Sequence, residues 1–521
     1  MAETTFSTRK DTLDKDLDKL VHVEEATILL SRRLVAPGIA LLFLALVAVF
    51  SAILTGGEPR SLIIIAAAAI GGYMALNIGA NDVANNVGPA VGAKALTIGG
   101  ALVIAAIFES AGALIAGGDV VDTIAKGIIA PSAVSDPSVF IRLMLAALVS
   151  SALWVNVATW IGAPVSTTHA VVGGVVGAGI AAVGPLAVDW TEMSRIAASW
   201  VISPLLGGLV AALFLAFVKD RVVYRSDKIA AARRWVPLLI AIMAGSFAAY
   251  LATKGLNHLI ELGARDVAMI GLGAFLFTWW LARGHVRRIS NGLENRNQSL
   301  RKLFNLPLII SAALLSFAHG ANDVANAVGP LAAIVHTATA NDVTAEVGIP
   351  FWVMVIGAIG ISAGLMLFGS RLIRMVGEQI TKLNPIRAFC VALSAAITVI
   401  VASWFGLPVS STHIAVGAVF GVGFYREWYT AHSKRRRLYI ERKKELRRAE
   451  RSSGNATYPE TVEDVPAEMV ETAGPPSSEE ARRRKLVRRA HVTTIVAAWI
   501  TTVPASALLA AAVFLALDAV G

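Results

Sequence analysis

The sequence contains about thirteen apolar stretches, each near the roughly 20 residues that a helix needs to cross a bilayer. Within hydrocarbon every backbone N–H and C=O group must find a partner in the protein, so stretches of this length fold as helices. Charged residues form 16% of the chain, against about 25% in a soluble domain. We therefore predict an all-α, polytopic helical membrane protein and exclude a soluble enzyme. The stretches are residues 36–54, 62–95, 98–117, 139–163, 164–184, 195–218, 236–252, 266–282, 306–335, 350–369, 385–405, 408–425 and 491–517.

Lysine and arginine concentrate in alternate segments between these stretches. Of the 46 in the chain, 38 lie in residues 1–35, 219–235, 283–305, 370–384 and 426–490. The positive-inside rule then predicts a cytoplasmic N-terminus and an external C-terminus. Topology alone accounts for the net charge of +10. The basic runs lack interleaved aromatic residues for base stacking, so we expect no nucleic-acid partner.

These features divide the chain into six segments. Stretch 36–54 is predicted to stay as a first helix, because no small-residue cleavage site follows it. In the insertion, residues 432–451 indicate a basic helix near anionic lipid, and residues 452–478 a flexible linker. The segments are an N-terminal cytoplasmic segment with the extra helix (1–61), repeat A (62–218), linking helices and cytoplasmic loops (219–305), the first part of repeat B (306–425), a basic, partly disordered cytoplasmic insertion (426–490) and the final helix of repeat B (491–521).

Two motifs occur twice, in the same order. NIGANDVANNVGPAVGAKAL at 77–96 recurs 241 residues later as AHGANDVANAVGPLAAIVHT at 318–337. GAPVSTTHAVVGGVVGAG at 162–179 recurs 244 residues later as GLPVSSTHIAVGAVFGVG at 406–423. A weaker echo pairs SWVISP with AWITTVP near the end of each half. This order indicates a duplicated unit.

The predicted sides give the relation between the two copies. Stretch 62–95 runs inward and stretch 306–335 runs outward, which predicts an inverted repeat of the kind found in carriers that work by alternating access. A channel is the alternative. The second motif of each copy lies at the tip of a helical hairpin, within 139–184 and 385–425. Charge alone leaves open whether these tips cross the membrane or re-enter it.

The first motif places a carboxylate inside an apolar crossing in each half. Such a group costs roughly 2.5–3.5 kcal/mol even on insertion scales, so Asp82 and Asp323 indicate a functional site. Gly88-Pro89 and Gly329-Pro330 are predicted to interrupt the helices a turn later, which exposes N–H groups for an anion and C=O groups for a cation. Asparagines four residues apart share a helical face with one another. The candidates are Asn81, Asp82, Asn85, Asn322, Asp323 and Asn326.

The hairpin tips add hydroxyl groups where a helix is predicted to begin. Hydroxyls and free N–H groups at a helix start can hold a tetrahedral oxyanion without an arginine. Close packing of small residues is the alternative explanation. These candidates are Ser166, Thr167, Thr168, Ser410, Ser411 and Thr412.

Other polar residues are ambiguous. Glu109 lies within an apolar stretch and has Ile361 as its counterpart, so ion coupling and a helix–helix hydrogen bond are both open. His169 and His413 suit structural hydrogen bonding or the handling of a proton or anion. His319 precedes only the second copy of the first motif, which argues against a role shared by both halves.

The segments GANDVANNVGP and GANDVANAVGP and the two P-V-S-[TS]-T-H tips resemble the Pit family of inorganic phosphate transporters. The resemblance covers roughly residues 62–218 and 306–517. It implies a secondary carrier that moves phosphate with Na⁺ or H⁺. Some bacterial members carry a metal–phosphate complex, and close relatives move sulfate. It also implies that the six motif residues and the tip hydroxyls form the central site. Some members carry an acidic residue at both positions where this chain has Glu109 and Ile361, which leaves the coupling ion and stoichiometry open.

We therefore predict a symporter that imports inorganic phosphate, in the plasma membrane of a bacterium, with a cation and the bilayer as its other partners. A sulfate or metal–phosphate transporter is the alternative, and a homodimer is compatible with the sequence. No enzymatic cofactor is expected, and the absence of a G-x-x-x-x-G-K-[ST] loop points to an ion gradient as the energy source. Candidate ligands of the coupling cation, Na⁺ or H⁺, are Asp82, Asp323, Asn81, Asn322 and Glu109.

Overall fold

A computed structural model describes residues 34–520 apart from 59, 131–132, 135, 164, 256–259, 344–347, 380–382, 433–437 and 439–488. Regular structure in these ranges is helical, with one isolated antiparallel bridge between Ile129 and Val188. The segment 1–33 and nearly all of the predicted insertion helix and linker lie outside the described residues. The main helices are α1 (Leu34–Thr55), α2 (Ser61–Gly92), α3 (Ile98–Ala116), α4 (Gly118–Asp122), α5 (Pro137–Ile161), α6 (Thr167–Val183), α7 (Trp190–Val218), α8 (Lys228–Lys254), α9 (Ala264–Ser290), α10 (Asn297–Leu303), α11 (Asn305–Asp323), α12 (Ala325–Ala340), α13 (Phe351–Gln379), α14 (Pro385–Trp404), α15 (Ser411–His432) and α16 (Arg489–Val520).

Each predicted apolar stretch coincides with a helix. Within the described ranges, eleven helices are long and apolar enough to cross a membrane, with α11 and α12 counted as one. The two helices that follow the hairpin tips, α6 and α15, are not among the eleven; α6 is apolar but has only 17 residues. In each hairpin the first limb is therefore a membrane-length helix, whereas the second limb does not meet the same criterion of length and hydropathy.

Turn and cap residues fix where the hairpin limbs begin and end. Gly162 and Gly406 have φ values of 80° and 67°, a left-handed conformation that glycine adopts without a steric penalty. Each lies just after the first limb and turns the chain toward the tip. Ser166 and Ser410 then accept hydrogen bonds from the N–H groups three residues later, at 3.1 and 3.3 Å, and so cap the second limbs.

The predicted interruption at the Gly-Pro pairs is wrong. α2 continues through Pro89 to Gly92, and Pro330 lies inside α12. A proline removes a single N–H donor, and close packing against neighbouring helices stabilises the surrounding turns. α11 and α12 are separated by Val324 alone, whose φ of −55° and ψ of −33° are still helical.

The two copies of the first motif pack against the opposite half in matching ways. α2 packs along α13, and α11 packs along α3. Gly79 lies against the backbone of Ile361 and Gly320 against the backbone of Glu109, so closely that neither glycine has room for a Cβ atom. Gly79 and Gly320 are equivalent in the repeat, as are Ile361 and Glu109. Equivalent residues of the two repeats therefore make the same glycine-to-backbone contact.

The hairpins also pack across the two halves. α6 packs against α16, and α15 packs against α7. Gly173 approaches the backbone of Val503, and its repeat counterpart Gly417 approaches that of Pro204. Each hairpin therefore lies against the last helix of the other repeat, and the two repeats are intertwined.

Helices α8 and α9 pack against each other outside this arrangement. Only 11% of the most apolar window of α9 is buried within the protein, against 89% for the window that covers α11 and α12. The core thus lies along the repeated motifs, and α9 presents most of its surface to the surroundings.

Candidate substrate and cation site

Two carboxylates lie at the centre of the molecule, one from each repeat. Asp82 belongs to α2 and Asp323 ends α11, with 0% and 1% of their surface exposed. Thr167, the first residue of α6, stands between them. Its Oγ1 lies 3.0 Å from Oδ2 of Asp82 and 3.3 Å from Oδ2 of Asp323. Since a hydroxyl donates one hydrogen bond at a time, the two carboxylates compete for the proton of Thr167.

The second hairpin tip supplies further hydroxyls to the same carboxylates. Thr412 Oγ1 donates to Oδ1 of Asp82 at 2.8 Å, and Ser411 Oγ donates to Oδ2 of Asp323 at 3.3 Å. Asn85 in turn donates to Thr412 Oγ1 at 2.8 Å. Each tip thus reaches a carboxylate of the other half.

Asn326 makes the equivalent contact from the second repeat. Its Nδ2 donates to Oγ1 of Thr167 at 3.3 Å and lies 3.2 Å from Oγ1 of Thr168. An amide of each repeat therefore contacts the hairpin tip of the other repeat. Eight of the predicted residues are gathered in this one cluster: Asp82, Asn85, Thr167, Thr168, Asp323, Asn326, Ser411 and Thr412.

The two hairpin tips meet inside the protein. Thr168 Oγ1 donates to the carbonyl oxygen of Val409 at 3.0 Å. The rings of His169, which directly follows Thr168, and of His413 contact edge to face, with centroids 4.4 Å apart. All four residues are buried. The tips therefore end within the protein core, next to each other.

The first asparagine of each motif holds its own hairpin. Asn81 donates to a threonine of α5 at 2.9 Å and accepts from the N–H of Val165 at 3.4 Å. Asn322 donates to a serine of α14 at 2.9 Å and accepts from the N–H of Val409 at 3.3 Å. Four predicted residues thus hold the tips rather than contact the carboxylates: Asn81, Asn322, Ser166 and Ser410.

His319 and Glu109 form a polar branch of the cluster. His319 Nε2 lies 3.2 Å from Oδ2 of Asp323 and 3.9 Å from Oδ2 of Asp82, while its Nδ1 lies 3.2 Å from Oε2 of Glu109. Asn86 donates to Oε1 of Glu109 at 2.8 Å. Sequence reasoning set His319 aside because its position is not repeated. The signal in the sequence that could have identified His319 is its spacing of four residues from Asp323, which places both side chains on the same helical face.

This branch exists in one half only. In the repeat, His319 corresponds to Ile78 and Glu109 corresponds to Ile361, and both isoleucines are fully buried. The site is therefore symmetric in its two aspartates and asymmetric in the polar pair attached to them.

Comparisons with known proteins show similarity to phosphate transporters. A model of the phosphate transporter family matches residues 78–510. A putative phosphate permease of Helicobacter pylori is 46% identical and covers 96% of this chain and 98% of its own length. One of Pyrococcus abyssi is 39% identical over 68% of this chain and 87% of its own. The chain belongs to the phosphate transporter family.

A solved structure extends the likeness from sequence to fold. It is described as the sodium-dependent phosphate transporter, is 32% identical, covers 88% of this chain and 100% of its own, and has a TM-score of 0.74. The predicted family, the multi-pass helical fold and the assignment as a transporter rather than an enzyme are thereby confirmed.

The donor set of this family member suits a small hard cation beside an anion. Asp82, His319 and Asp323 each offer a ligand atom within 4.8 Å of the others. Two buried acceptors, Oδ1 of Asp323 and Oδ1 of Asn326, have no hydrogen-bond partner among the described residues. Carboxylate, amide and hydroxyl oxygens are the ligands that hard cations prefer. The start of α6 and of α15 supplies N–H groups for an anion next to them.

Proposed function

We propose that this protein is a secondary active transporter that imports inorganic phosphate together with a cation by alternating access. The observation that carries the proposal is the buried cluster shared by both repeats, in which two carboxylates and the hydroxyls of both hairpin tips converge.

Charge balance favours coupling to a cation. Asp82, Asp323 and Glu109 bring three carboxyl groups, His319 adds at most one positive charge, and no lysine or arginine of the described chain contacts them. Phosphate brings a further charge of about −1.5 to −2 by analogy with a phosphoryl group. Burying these charges without compensation is very costly, so phosphate and cations stabilise each other in the site.

We assign phosphate binding to two sets of groups. These are the hydroxyls of the hairpin tips and the amide of the second asparagine in each copy of the first motif. In this scheme Asp82 and Asp323 bind the cation, and the four residues that hold the tips keep the geometry. The phosphate-binding residues proposed are Thr167, Thr168, Ser411, Thr412, Asn85 and Asn326.

Na⁺ is the first candidate for the coupling ion. The oxygen-rich donor set supports it, and so does the 32% identity to a transporter described as sodium-dependent. H⁺ is the second candidate, because the imidazole of His319 can carry a proton and lies next to Glu109 and both aspartates.

The repeat supports alternating access. If the two copies cross the membrane in opposite senses, as the distribution of basic residues predicts, each half can adopt the conformation of the other. The N-terminus is then cytoplasmic, and the basic loops lie on the cytoplasmic side of the plasma membrane.

Purified protein in proteoliposomes tests this function. Labelled phosphate uptake is measured under an imposed Na⁺ gradient or H⁺ gradient, with and without Mg²⁺. We expect accumulation with one of the cation gradients, independence from Mg²⁺, and faster uptake into vesicles preloaded with phosphate. Uptake that ignores both gradients and preloading indicates a pore. Full competition by sulfate, or a strict need for Mg²⁺, would replace phosphate by sulfate or by a metal–phosphate complex as the substrate.

A further inference from the structure

A cleft of about 1060 Å³ opens between α8 and α9, outside the two repeats. It lies at the end where α8 begins and α9 ends, since Arg233 near the start of α8 contacts Ser290 at the end of α9. Four guanidinium groups line it: Arg233 and Arg234 from α8, and Arg283 and Arg287 from α9.

Contacts hold two of these arginines in place, and none of the four has a carboxylate partner in the described part of the chain. Arg233 donates from Nε to Ser290 Oγ at 2.7 Å and from Nη2 to Asn291 Oδ1 at 3.1 Å. Arg283 lies over the ring of Trp279, 5.2 Å from its centroid. In the described ranges no carboxylate oxygen lies within 4.0 Å of any of the four, whereas the neighbouring Arg221 pairs with Asp220. A cluster of four cations with no acid beside it among the described residues favours an anionic ligand.

Apart from the arginines and Asn291, the lining of the cleft is apolar. Leu238, Phe275 and Leu276 line it next to Trp279, one or two helical turns deeper than the arginines. Leu276 is 52% exposed, and α9 is open to the surroundings along most of its length. A ligand that fills this cleft therefore has an anionic end at the arginines and an apolar part along α9.

We propose that the cleft binds an anionic phospholipid, with its phosphate at the four guanidinium groups and its acyl chain along Phe275 and Leu276. Arginine suits this role because its planar guanidinium forms paired hydrogen bonds with phosphate oxygens. Basic pockets between membrane helices bind anionic headgroups by the same physics. A free phosphate ion shares the anionic chemistry but gains nothing from the apolar wall.

Native mass spectrometry of the full-length, delipidated protein tests the proposal. The protein is titrated with phosphatidylglycerol or with phosphatidylcholine of the same acyl chains. We expect preferential retention of phosphatidylglycerol by the wild type. The variant Arg283→Gln/Arg287→Gln should bind it about 25-fold more weakly, or about fivefold for each guanidinium removed. The control Arg288→Gln/Arg296→Gln removes the same charge near the same end, outside the cleft, and should bind as the wild type does.

Three results would overturn the lipid assignment. The first is equal phosphatidylglycerol binding by the cleft variant and the wild type, or an equal loss in the control. The second is complete displacement of the lipid by excess inorganic phosphate, which would mark a site for the free anion. The third is a dimer in the wild type that the cleft variant dissociates without any change in lipid binding, which would make the cleft an interface between two copies. If the double variant aggregates, Arg283→Gln alone is compared with Arg288→Gln, with an expected loss of about fivefold.

Discussion

At the scale of single residues, the site is built around one hydroxyl between two acids. Thr167 Oγ1 is within hydrogen-bond distance of both Asp82 and Asp323, and its single proton can satisfy only one of them. The other carboxylate then depends on its second hydroxyl donor, which is Thr412 for Asp82 and Ser411 for Asp323. The cation proposed above would offset the cost of burying two negative charges side by side. This is the physical reason to expect that phosphate and the cation enter together.

The pair of His319 and Glu109 yields a prediction about coupling. Glu109→Gln and His319→Gln each leave a buried polar partner unsatisfied, so we expect each to lower the initial rate of phosphate uptake by about tenfold or more. Because the two side chains are in contact, the double variant should be no slower than the slower single variant. Uptake is measured in proteoliposomes from pH 5.5 to pH 8.

The matched control for this pair comes from the other half. Ile361 occupies the position of Glu109 in the repeat, and Ile361→Val should leave the rate within about twofold, since it removes a single methylene group. Independent, multiplicative losses in the double variant would show that His319 and Glu109 do not act as a unit.

Sequence reasoning found most of this site but sorted its residues imperfectly. Repetition identified Asp82 and Asp323, because a repeated intramembrane acid has few structural explanations. Repetition also hid His319, whose counterpart is Ile78. Asn81 holds its own hairpin, whereas Asn85 reaches the tip of the other hairpin. This difference depends on how the hairpins are arranged in three dimensions and cannot be predicted from the spacing of the two asparagines.

At the scale of helices, the repeated glycines set how closely the two halves approach. A Cβ atom at Gly79 or Gly320 would collide with a backbone carbonyl of the facing helix, and backbone atoms cannot move aside as side chains do. We expect Gly79→Ala and Gly320→Ala each to destabilise the folded protein by about 1–3 kcal/mol. The measurement is the thermal unfolding temperature of the purified protein.

Gly273 in α9 is the matched control. It also lies within a helix, but a Cβ atom there would have nothing within 4 Å. Gly273→Ala should therefore leave the unfolding temperature unchanged or raise it slightly, since alanine reduces the freedom of the unfolded chain. Equal unfolding temperatures for all three variants would contradict the close packing of α2 on α13 and of α11 on α3.

Hydropathy predicted these helices well and their irregularities poorly. Every apolar stretch coincides with helical structure, because a helix pairs the backbone N–H and C=O groups of a membrane crossing within one segment. The Gly-Pro pairs were expected to break α2 and its counterpart. Pro89 is instead accommodated inside a continuous helix, because buried neighbours on all sides hold its turn.

At the scale of the whole molecule, the two repeats are interlocked rather than placed side by side. α6 packs on α16, and α15 packs on α7, so the second limb of each hairpin lies against the last helix of the other repeat. The sequence division into residues 62–218 and 306–425 with 491–521 follows the repeated motifs, and the helix contacts cross this division.

The predicted topology can be tested with single cysteines, because the chain has one native cysteine, the buried Cys390. In a Cys390→Ala background, Glu294→Cys lies on the basic side and Asn341→Cys at the opposite end of a membrane-length helix; both native residues are exposed. We expect a membrane-impermeant maleimide added to intact cells to label Asn341→Cys and to spare Glu294→Cys until the cells are opened. The reverse pattern would invert the whole assignment of sides.

The most direct test of the central claim is the accumulation of labelled phosphate under an imposed cation gradient, compared among four proteins in the same proteoliposomes. The wild type and Asp220→Asn, which alters an exposed carboxylate outside the site, should both accumulate phosphate against its gradient. Asp82→Asn and Asp323→Asn should each lose more than about tenfold of the initial rate, because each removes a charged partner worth about 1.5–3 kcal/mol. Wild-type accumulation by either variant would contradict a phosphate–cation site shared by the two aspartates.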